Sequence, residues 1–401
     1  MAPSPWLSLV TPSLAALAGV ALGIFLERSR RAKGSRQSSR DVVNSGEELR
    51  VERGELEAAV AACLEAAGAP KPKANLVARV LVAADCRGIP SHGVNRTEMY
   101  CGELRAGLID PDAMPRLSSE TVSTANVDGL NGLGAVVSEF AMQLCIRKAK
   151  ASGIGLVVCH NSNHFGIAGF WSELALKEGL IGGTNPISCY CPGTRDSFQL
   201  DMATSTVPVG KIEVCHRKEQ EIPPGWGVDR AGAPTNNPTE VLAGGGLTPV
   251  GGLEETAGYK GYGLNMMVEI LCAVLSGCKD VGPDVPPWRV DRGRPVDYGH
   301  CFMCIDPEKM LPEGEFQAKL SAYLARMRGL SAADAALPVL VPGDPENAEE
   351  LAAEKHGVRL NIQVAHGLRK LSQDLACLQK MPAPIRDLPQ NVMAPRHPHT
   401  V

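Results

Sequence analysis

Aromatic residues make up only 4% of the 401-residue sequence, so its core must be built from aliphatic side chains. A basic excess is also missing: 40 Lys and Arg stand against 44 Asp and Glu, a net charge of −4. That balance lacks the positive footprint of nucleic-acid binding and excludes nucleic acid as a partner. No tandem repeat is present, and no G-x-G-x-x-G follows a strand. The nearest spacing, Gly129-x-x-Gly132-x-Gly134, is wrong, so a dinucleotide site of the Rossmann type is not expected. What is present is 44% hydrophobic and 21% charged, with 42 Gly and 30 Pro: a globular chain with a large core and many turns.

Charge is absent in one more place, residues 1–26. The run from Pro5 to Leu26, if helical, would extend about 33 Å, near the hydrocarbon thickness of a bilayer. Arg28, Arg30, Arg31, Lys33, Arg36 and Arg40 follow it. Basic residues after the apolar run, not before it, disfavour a cleaved secretory signal and predict a transmembrane signal-anchor with the body facing the cytosol. Such an anchor suits the endoplasmic reticulum or the outer mitochondrial membrane; the alternative is a cytosolic or mitochondrial protein. The 13 cysteines are scattered from Cys63 to Cys377, mostly in apolar runs, as reduced buried thiols are. The one C-x-x-C, Cys301 to Cys304, lies in the strand-like CFMCI, and no metal site is expected there.

After a polar linker at 34–46, helical spacing marks 47–66, and an apolar run at 75–86 leads into the turn Gly88–Ile89–Pro90. A helix over 134–150 ending at Gly153, then a buried strand GLVVC and the polar turn HNSNHFG, indicate a mixed α/β fold with functional groups at a strand end. Helix is expected at 166–178, strand at 198–203, and a long, largely buried helix at 260–276. Helices at 313–329, 347–356 and 366–378, with a strand VRLNIQV, complete the body. Residues 381–401 hold five prolines and read as a disordered tail.

Several clusters carry chemistry. Ser91–His92–Gly93–Val94–Asn95–Arg96, with Tyr100 beyond, sets an imidazole four residues from a guanidinium. Arg suits bidentate capture of a carboxylate and His exchanges a proton near neutral pH. Spacing alone equally allows a turn histidine beside a surface arginine. His160 and His164 flank Asn161–Ser162–Asn163; the polar turn argues for a general acid or base over a metal ligand pair. Asp201–Met202–Ala203–Thr204–Ser205 ends a strand, where a carboxylate and hydroxyls suit a ribose contact or a simple cap. Gly258–Tyr259–Lys260–Gly261–Tyr262–Gly263 opens a helix with free amides next to a lysine.

Taken in order, SHGVNR, NSNHFG, GTNPI, DMATS, IPPGWGVD with Pro234–Thr235–Asn236–Asn237–Pro238, GYKGYGL and Pro342–Gly343–Asp344 resemble the type-2 malate/lactate dehydrogenase family. Ureidoglycolate and sulfolactate dehydrogenases and a ketimine reductase share that family. The resemblance covers about 47–378 and implies a non-Rossmann mixed-sheet α/β fold, NAD or NADP as cofactor, a small 2-oxo or 2-hydroxy acid substrate and a homodimer. By the same resemblance the catalytic body is 47–380, with a discontinuous cofactor-binding subdomain within about 115–310, behind an anchor and linker at 1–46. His164 would then be the proton donor or acceptor, with Ser91, His92 and Asp201 a second relay. Arg96, with Tyr100, would hold the substrate, and Asp201, Met202, Ala203, Lys260, Pro342, Gly343 and Asp344 would contact the cofactor.

One departure stands out. Gly179–Leu180–Ile181–Gly182 runs straight into Gly183–Thr184–Asn185–Pro186–Ile187, where family members insert about twenty residues including a strand. Loss of a core strand would cost about 1.5–3 kcal/mol per large aliphatic side chain. The expectation is therefore either an active 2-hydroxyacid dehydrogenase or an impaired, membrane-tethered pseudoenzyme that keeps only its dimer surface.

Overall fold

A seven-stranded mixed sheet organises the chain, seen in a computed structural model that describes residues 48–217, 219–286 and 293–389. The strands are β1 (Glu48–Val51), β2 (Arg116–Glu120), β3 (Thr124–Asp128), β4 (Ile154–Ser162), β5 (Ile181–Asn185), β6 (Ser188–Pro192), β7 (Ser197–Asp201), β8 (Gly227–Val228), β9 (Pro234–Thr235), β10 (Gly246–Leu247), β11 (Tyr298–Ile305) and β12 (Val358–Asn361). The large sheet runs β2-β3-β4-β11-β5-β6-β7. Only the β3–β4 pair is parallel, joined by the crossover helix Gly134–Ser152. Gly153 closes that helix at φ 92°, the left-handed conformation that glycine adopts without steric cost. The fold is thus the non-Rossmann mixed α/β arrangement expected. Apart from residues 330–339, the described chain gathers into one compact unit.

One sheet face is covered by Gly134–Ser152 and by the helix Ala168–Lys177, and Trp171 and Phe302 are fully buried there. The helices Arg53–Ala66, Lys71–Cys86, Thr97–Arg105 and Ile362–Asp374 extend the same core with Leu56, Leu64, Leu81 and Leu368. The opposite face has a small cluster, Val158, Cys272 and Cys301.

The strand across the Gly182–Gly183 junction changes the expectation for the missing piece. β5 spans the junction itself, pairing with β11 from Ile181↔Ile305 to Asn185↔Cys301 and with β6 through Gly183↔Cys189. The sheet is continuous there, and a side chain on Gly182 would sit 2.6 Å from the Ser172 carbonyl oxygen, so the helix above can approach only a glycine.

Other differences are local. The 47–66 segment begins as β1, antiparallel to β12, and turns helical only at Arg53. The VRLNIQV strand stops at Asn361, whose side chain caps the following helix through the Gln363 amide. Helix Gly258–Glu269, continued by a π-turn over Ile270–Val274, is not largely buried as predicted: Met266 is 47%, Ile270 50% and Val274 55% exposed. Only its Cys272 edge meets the sheet, so an apolar composition here marks an uncovered surface. The tail expected to be disordered from 381 is instead ordered at its start, with Met381 and Ile385 buried and a short helix Ala383–Arg386, and residues 390–401 lie outside the described residues.

The membrane anchor is corrected. No helix among the described residues is long and apolar enough to cross a membrane, and the Pro5–Leu26 segment that prompted the transmembrane signal-anchor lies outside them. Placement in the endoplasmic reticulum or outer mitochondrial membrane is withdrawn with it.

Candidate active site

The site grows from two turns that meet at the end of β4. The first follows the helix Lys71–Cys86, where Gly88, Ile89 and Pro90 stop the helix and 3₁₀ turns over Pro90–His92 and Val94–Arg96 carry the Ser-His and Arg side chains. Asp85 holds this turn: its Oδ2 accepts the Val94 N–H at 2.7 Å, and a Cβ on Gly93 would lie 2.2 Å from its Oδ1. The second turn leaves β4 at Asn161, in the left-handed region at φ 53°, with its amide donating to Asp297 and its Nδ2 donating to Asp128 at 3.1 Å. The start of helix Gly134–Ser152 presses on it so closely that a Cβ on Gly134 would be 2.4 Å from the His164 carbonyl oxygen.

Ser91, His92, Arg96, Tyr100 and His164 come together as a single cluster. The His92 and His164 rings stack with centroids 5.5 Å apart and 22° between planes. Ser91 Oγ lies 3.0 Å from His92 Nδ1, and Arg96 Nε donates to the Ser91 carbonyl oxygen at 2.7 Å. Tyr100 is buried beneath His164, its hydroxyl 2.7 Å from Nδ1 and 2.9 Å from the backbone oxygen. A phenol has one proton, so where it goes decides which imidazole nitrogen carries hydrogen. When it goes to the carbonyl, Nδ1–H donates to the phenol oxygen and Nε2 keeps a lone pair. Tyr100 therefore supports the imidazole in addition to its expected place beside the substrate.

The electrostatics fit that arrangement. Burial first, then the neighbouring His92 ring, the Arg96 charge and His300, hold the His164 imidazole well below its ordinary range. Burial and Arg96 push His92 down to about 4. Both rings are neutral at pH 7 and ready to accept a proton. Glu213, on the helix Val209–Arg217, partly offsets the Arg96 cation, whose own pKa burial lowers.

The third member of the expected relay goes elsewhere. Asp201, at the end of β7, accepts the Gly169 N–H at 2.7 Å and caps the start of the helix that follows His164. It does not bond to Ser91 or His92, and burial pushes its carboxyl up to about 6. The expected cofactor residues divide along β7, with Asp201 to Ala203 at its end and Pro342 to Asp344 beside its middle and start. The Met202 amide donates to Ile187 O at 3.0 Å and Ala203 follows it. Thr204 Oγ1 donates to Asn265 at 3.0 Å, in the helix whose first turn carries exposed Lys260. The Lys260 amine lies 6.0 Å from the Tyr259 ring centroid. Pro342 O accepts the Gln199 amide at 3.0 Å, Gly343 abuts Gln199 at φ 102°, and Asp344 is held by Arg328 at 2.7 Å. Gln199 Oε1 is buried without a hydrogen-bond partner.

Three contributors escaped the sequence reading. Asp85 was visible as a lone carboxyl inside an apolar helix, VLVAADC. His300, 3% exposed, stacks on Phe165 at 4.4 Å and places Nε2 2.9 Å from Ser162 Oγ, steadying the His164 turn from β11. Glu213 had no signal in its surroundings. Among the described residues, no group of three or more His, Cys, Asp or Glu is placed to hold a metal ion.

Burial pushes the Asp85 carboxyl up to about 8. In the unfolded chain it ionises near pH 4, whereas the fold keeps it protonated to about 8, so wild-type stability falls between those limits as pH rises. Asp85→Asn keeps an acceptor for Val94 and has no such titration. Urea midpoints at several pH values should show the variant gaining on the wild type from pH 4 to 8 and the gap levelling above; parallel curves would refute this account.

Comparison with known proteins agrees with this architecture. The profile of the Malate/L-lactate dehydrogenase family matches residues 51–182 and 183–369, breaking at the Gly182–Gly183 junction. The chain is 39% identical to malate dehydrogenase of Pyrococcus horikoshii over 301 residues, 70% of this chain and 82% of that protein. It is 35% identical to L-sulfolactate dehydrogenase of Methanocaldococcus jannaschii over 328 residues, 77% and 92% of the two chains. The solved structure of the P. horikoshii OT3 malate dehydrogenase superimposes with TM-score 0.74 at 32% identity, covering 86% of this chain and 98% of that one. A profile match over most of the chain, these identities and the shared fold place it in the Malate/L-lactate dehydrogenase family.

Proposed function

We propose that this chain transfers hydride between C2 of a small 2-hydroxy or 2-oxo acid and a nicotinamide dinucleotide, with His164 moving the proton and Arg96 holding the substrate carboxylate. Hydroxy-acid oxidoreduction with NAD or NADP is the chemistry of its family. The observation that carries the finer reading is the Tyr100–His164–His92 stack beside Arg96: one neutral imidazole, oriented by a phenol, within the field of one guanidinium.

In oxidation, His164 Nε2 takes the hydroxyl proton as C2 gives up hydride. In reduction, protonated His164 returns it to the forming alkoxide, a contribution of about 10²–10⁴ in rate. The dinucleotide, when bound, supplies the hydride acceptor or donor. The residues along β7 fit it: Gln199 Oε1 is a buried acceptor awaiting a donor with Pro342 to Asp344 beside it, and Asp201 to Ala203, with Lys260 in the helix that bonds Thr204, are further candidate contacts. β5 closes the sheet across the junction, which favours a working enzyme over an impaired form.

Hydride transfer from NADH and NADPH to a panel of 2-oxo acids, followed at 340 nm, tests the proposal, and no turnover with any pair would sink it. We also propose a homodimer, supported by the uncovered apolar helix at 258–274. Sedimentation should give twice the chain mass, and a monomer at micromolar concentration would rule it out.

A further inference from the structure

Two thiols stand apart from the dehydrogenase cluster. Ser188, Tyr190 and Pro192 of β6 turn toward the helix Ala168–Lys177, and Ser172 and Ser188 bond across that face. Cys189 and Cys191 alternate with them and point to the other side of the sheet. Both are partly exposed, whereas ten of the thirteen cysteines are buried. Their sulfurs are 3.7 Å apart.

The surroundings are soft and apolar. Cys189 faces Leu200 on β7 and Gly183 on β5, and Cys191 faces Phe198. Met303 of β11 faces Gly183 from the far side, giving one row, Cys189, Gly183, Met303. Glycine leaves the middle of that row open, and the Met303 methyl already leans to 3.6 Å from where a Gly183 Cβ would stand. Met303 is 37% exposed and has three free torsions, so its thioether can swing toward the thiols.

A disulfide does not suit this geometry. Alternate residues on an extended strand are about 6.6 Å apart, and so are their parallel Cβ atoms. A disulfide needs Cβ atoms about 3.5–4.5 Å apart, and the strand would have to buckle between two ladder partners. An ion needs no such movement. Two thiolates bound at about 2.3 Å with tetrahedral to trigonal angles lie about 3.8–4.0 Å from each other, close to the separation already present.

We propose that Cys189, Cys191 and Met303 form a binding site for a soft monovalent d¹⁰ cation, Cu(I). Two thiolates and a thioether satisfy Cu(I) with three sulfurs. Zn(II) would want a fourth nitrogen or sulfur ligand, and among the described residues no third His, Cys, Asp or Glu joins the pair.

The test uses the full-length reduced protein under anaerobic conditions, titrated against the Cu(I)–bicinchoninate complex. One equivalent should transfer to the protein. Cys189→Ser and Cys191→Ser should each weaken binding about 100-fold and Met303→Leu about tenfold, while Cys278→Ser, the other partly exposed thiol, leaves it unchanged. Equal copper uptake by the C189S/C191S double variant would overturn the site, unchanged affinity in M303L would overturn the three-sulfur set, and equally tight Zn(II) would overturn the choice of ion. A readout without substitutions guards against misfolding: Cu(I) should protect Cys189 and Cys191 of the wild type from iodoacetamide, read by peptide mass. Equal alkylation with and without copper counts against the proposal.

Discussion

His164→Gln should lower kcat for both oxidation and reduction by about 10²–10⁴-fold, the usual worth of a positioned acid–base group, with little change in KM. The side chain is replaced by one of similar reach that can hydrogen-bond but cannot carry a proton near neutral pH. Arg96 remains to bind the carboxylate, so the loss falls on the chemical step. The pH profile supplies a second signature. Because burial, His92 and Arg96 hold His164 below its ordinary range, wild-type kcat/KM for oxidation should stay level as pH falls past 6.5. Reduction, which needs the protonated ring, should weaken as pH rises. Tyr100→Phe should lose less, about tenfold, since the imidazole remains and only its orientation relaxes. Stopped-flow measurement of hydride transfer checks both variants. A His164→Gln enzyme within fivefold of wild type would remove His164 from the reaction.

How much of this could be seen in the sequence depends on how local the deciding contacts are. The helix 134–152 was legible from its apolar spacing and from Gly153, because both are consequences of a few neighbouring residues. So was the polar turn at His164, since a buried strand that ends in Asn-Ser-Asn has few ways to satisfy its backbone. β1 was not legible: its four residues are extended only because β12, some 300 positions later, pairs with them. The helix at 258–274 was misread as buried for the opposite reason. Apolar composition reports an appetite for burial, and nothing within the segment says whether a neighbour satisfies it. In the site, the grouping of Ser91, His92 and Arg96 was legible because they sit within six residues and bond to one another there. Asp201 was joined to the wrong partner because its bond to Gly169 is set by how β7 meets a helix start. The His300 contribution is of the same kind: one strand away in space, 136 positions from His164 in sequence, it could be found only after β4 and β11 were known to pair. The junction at Gly182–Gly183 was read accurately as a departure, but its consequence was not. Loss of a strand was expected, and the sequence left behind is itself extended enough to fill the place.

Arg96→Ala should reduce kcat/KM for a 2-oxo acid by about 10²–10³-fold, most of it in KM, since a charge-assisted pair with a carboxylate is lost and the substrate is held less firmly over His164. Arg96→Lys should recover only part, because an ammonium cannot make the two-pronged contact and cannot donate to the Ser91 carbonyl from Nε. The substitution has a second effect that a mere structural role would not produce. Arg96 is one of the charges holding His92 and His164 in their neutral forms. Without that cation, and with Glu213 left facing the turn, both imidazoles become easier to protonate. The acid limb of the oxidation profile should therefore move to higher pH in Arg96→Ala, so that activity begins to fall at a pH where the wild type is still flat. In reduction the same shift works in the enzyme's favour, and the deficit of the variant should narrow as pH falls. Steady-state profiles in both directions between pH 5 and 9 measure this. A uniform loss at every pH would mean that Arg96 binds substrate without tuning the imidazoles, and no loss of kcat/KM would remove it from the carboxylate site.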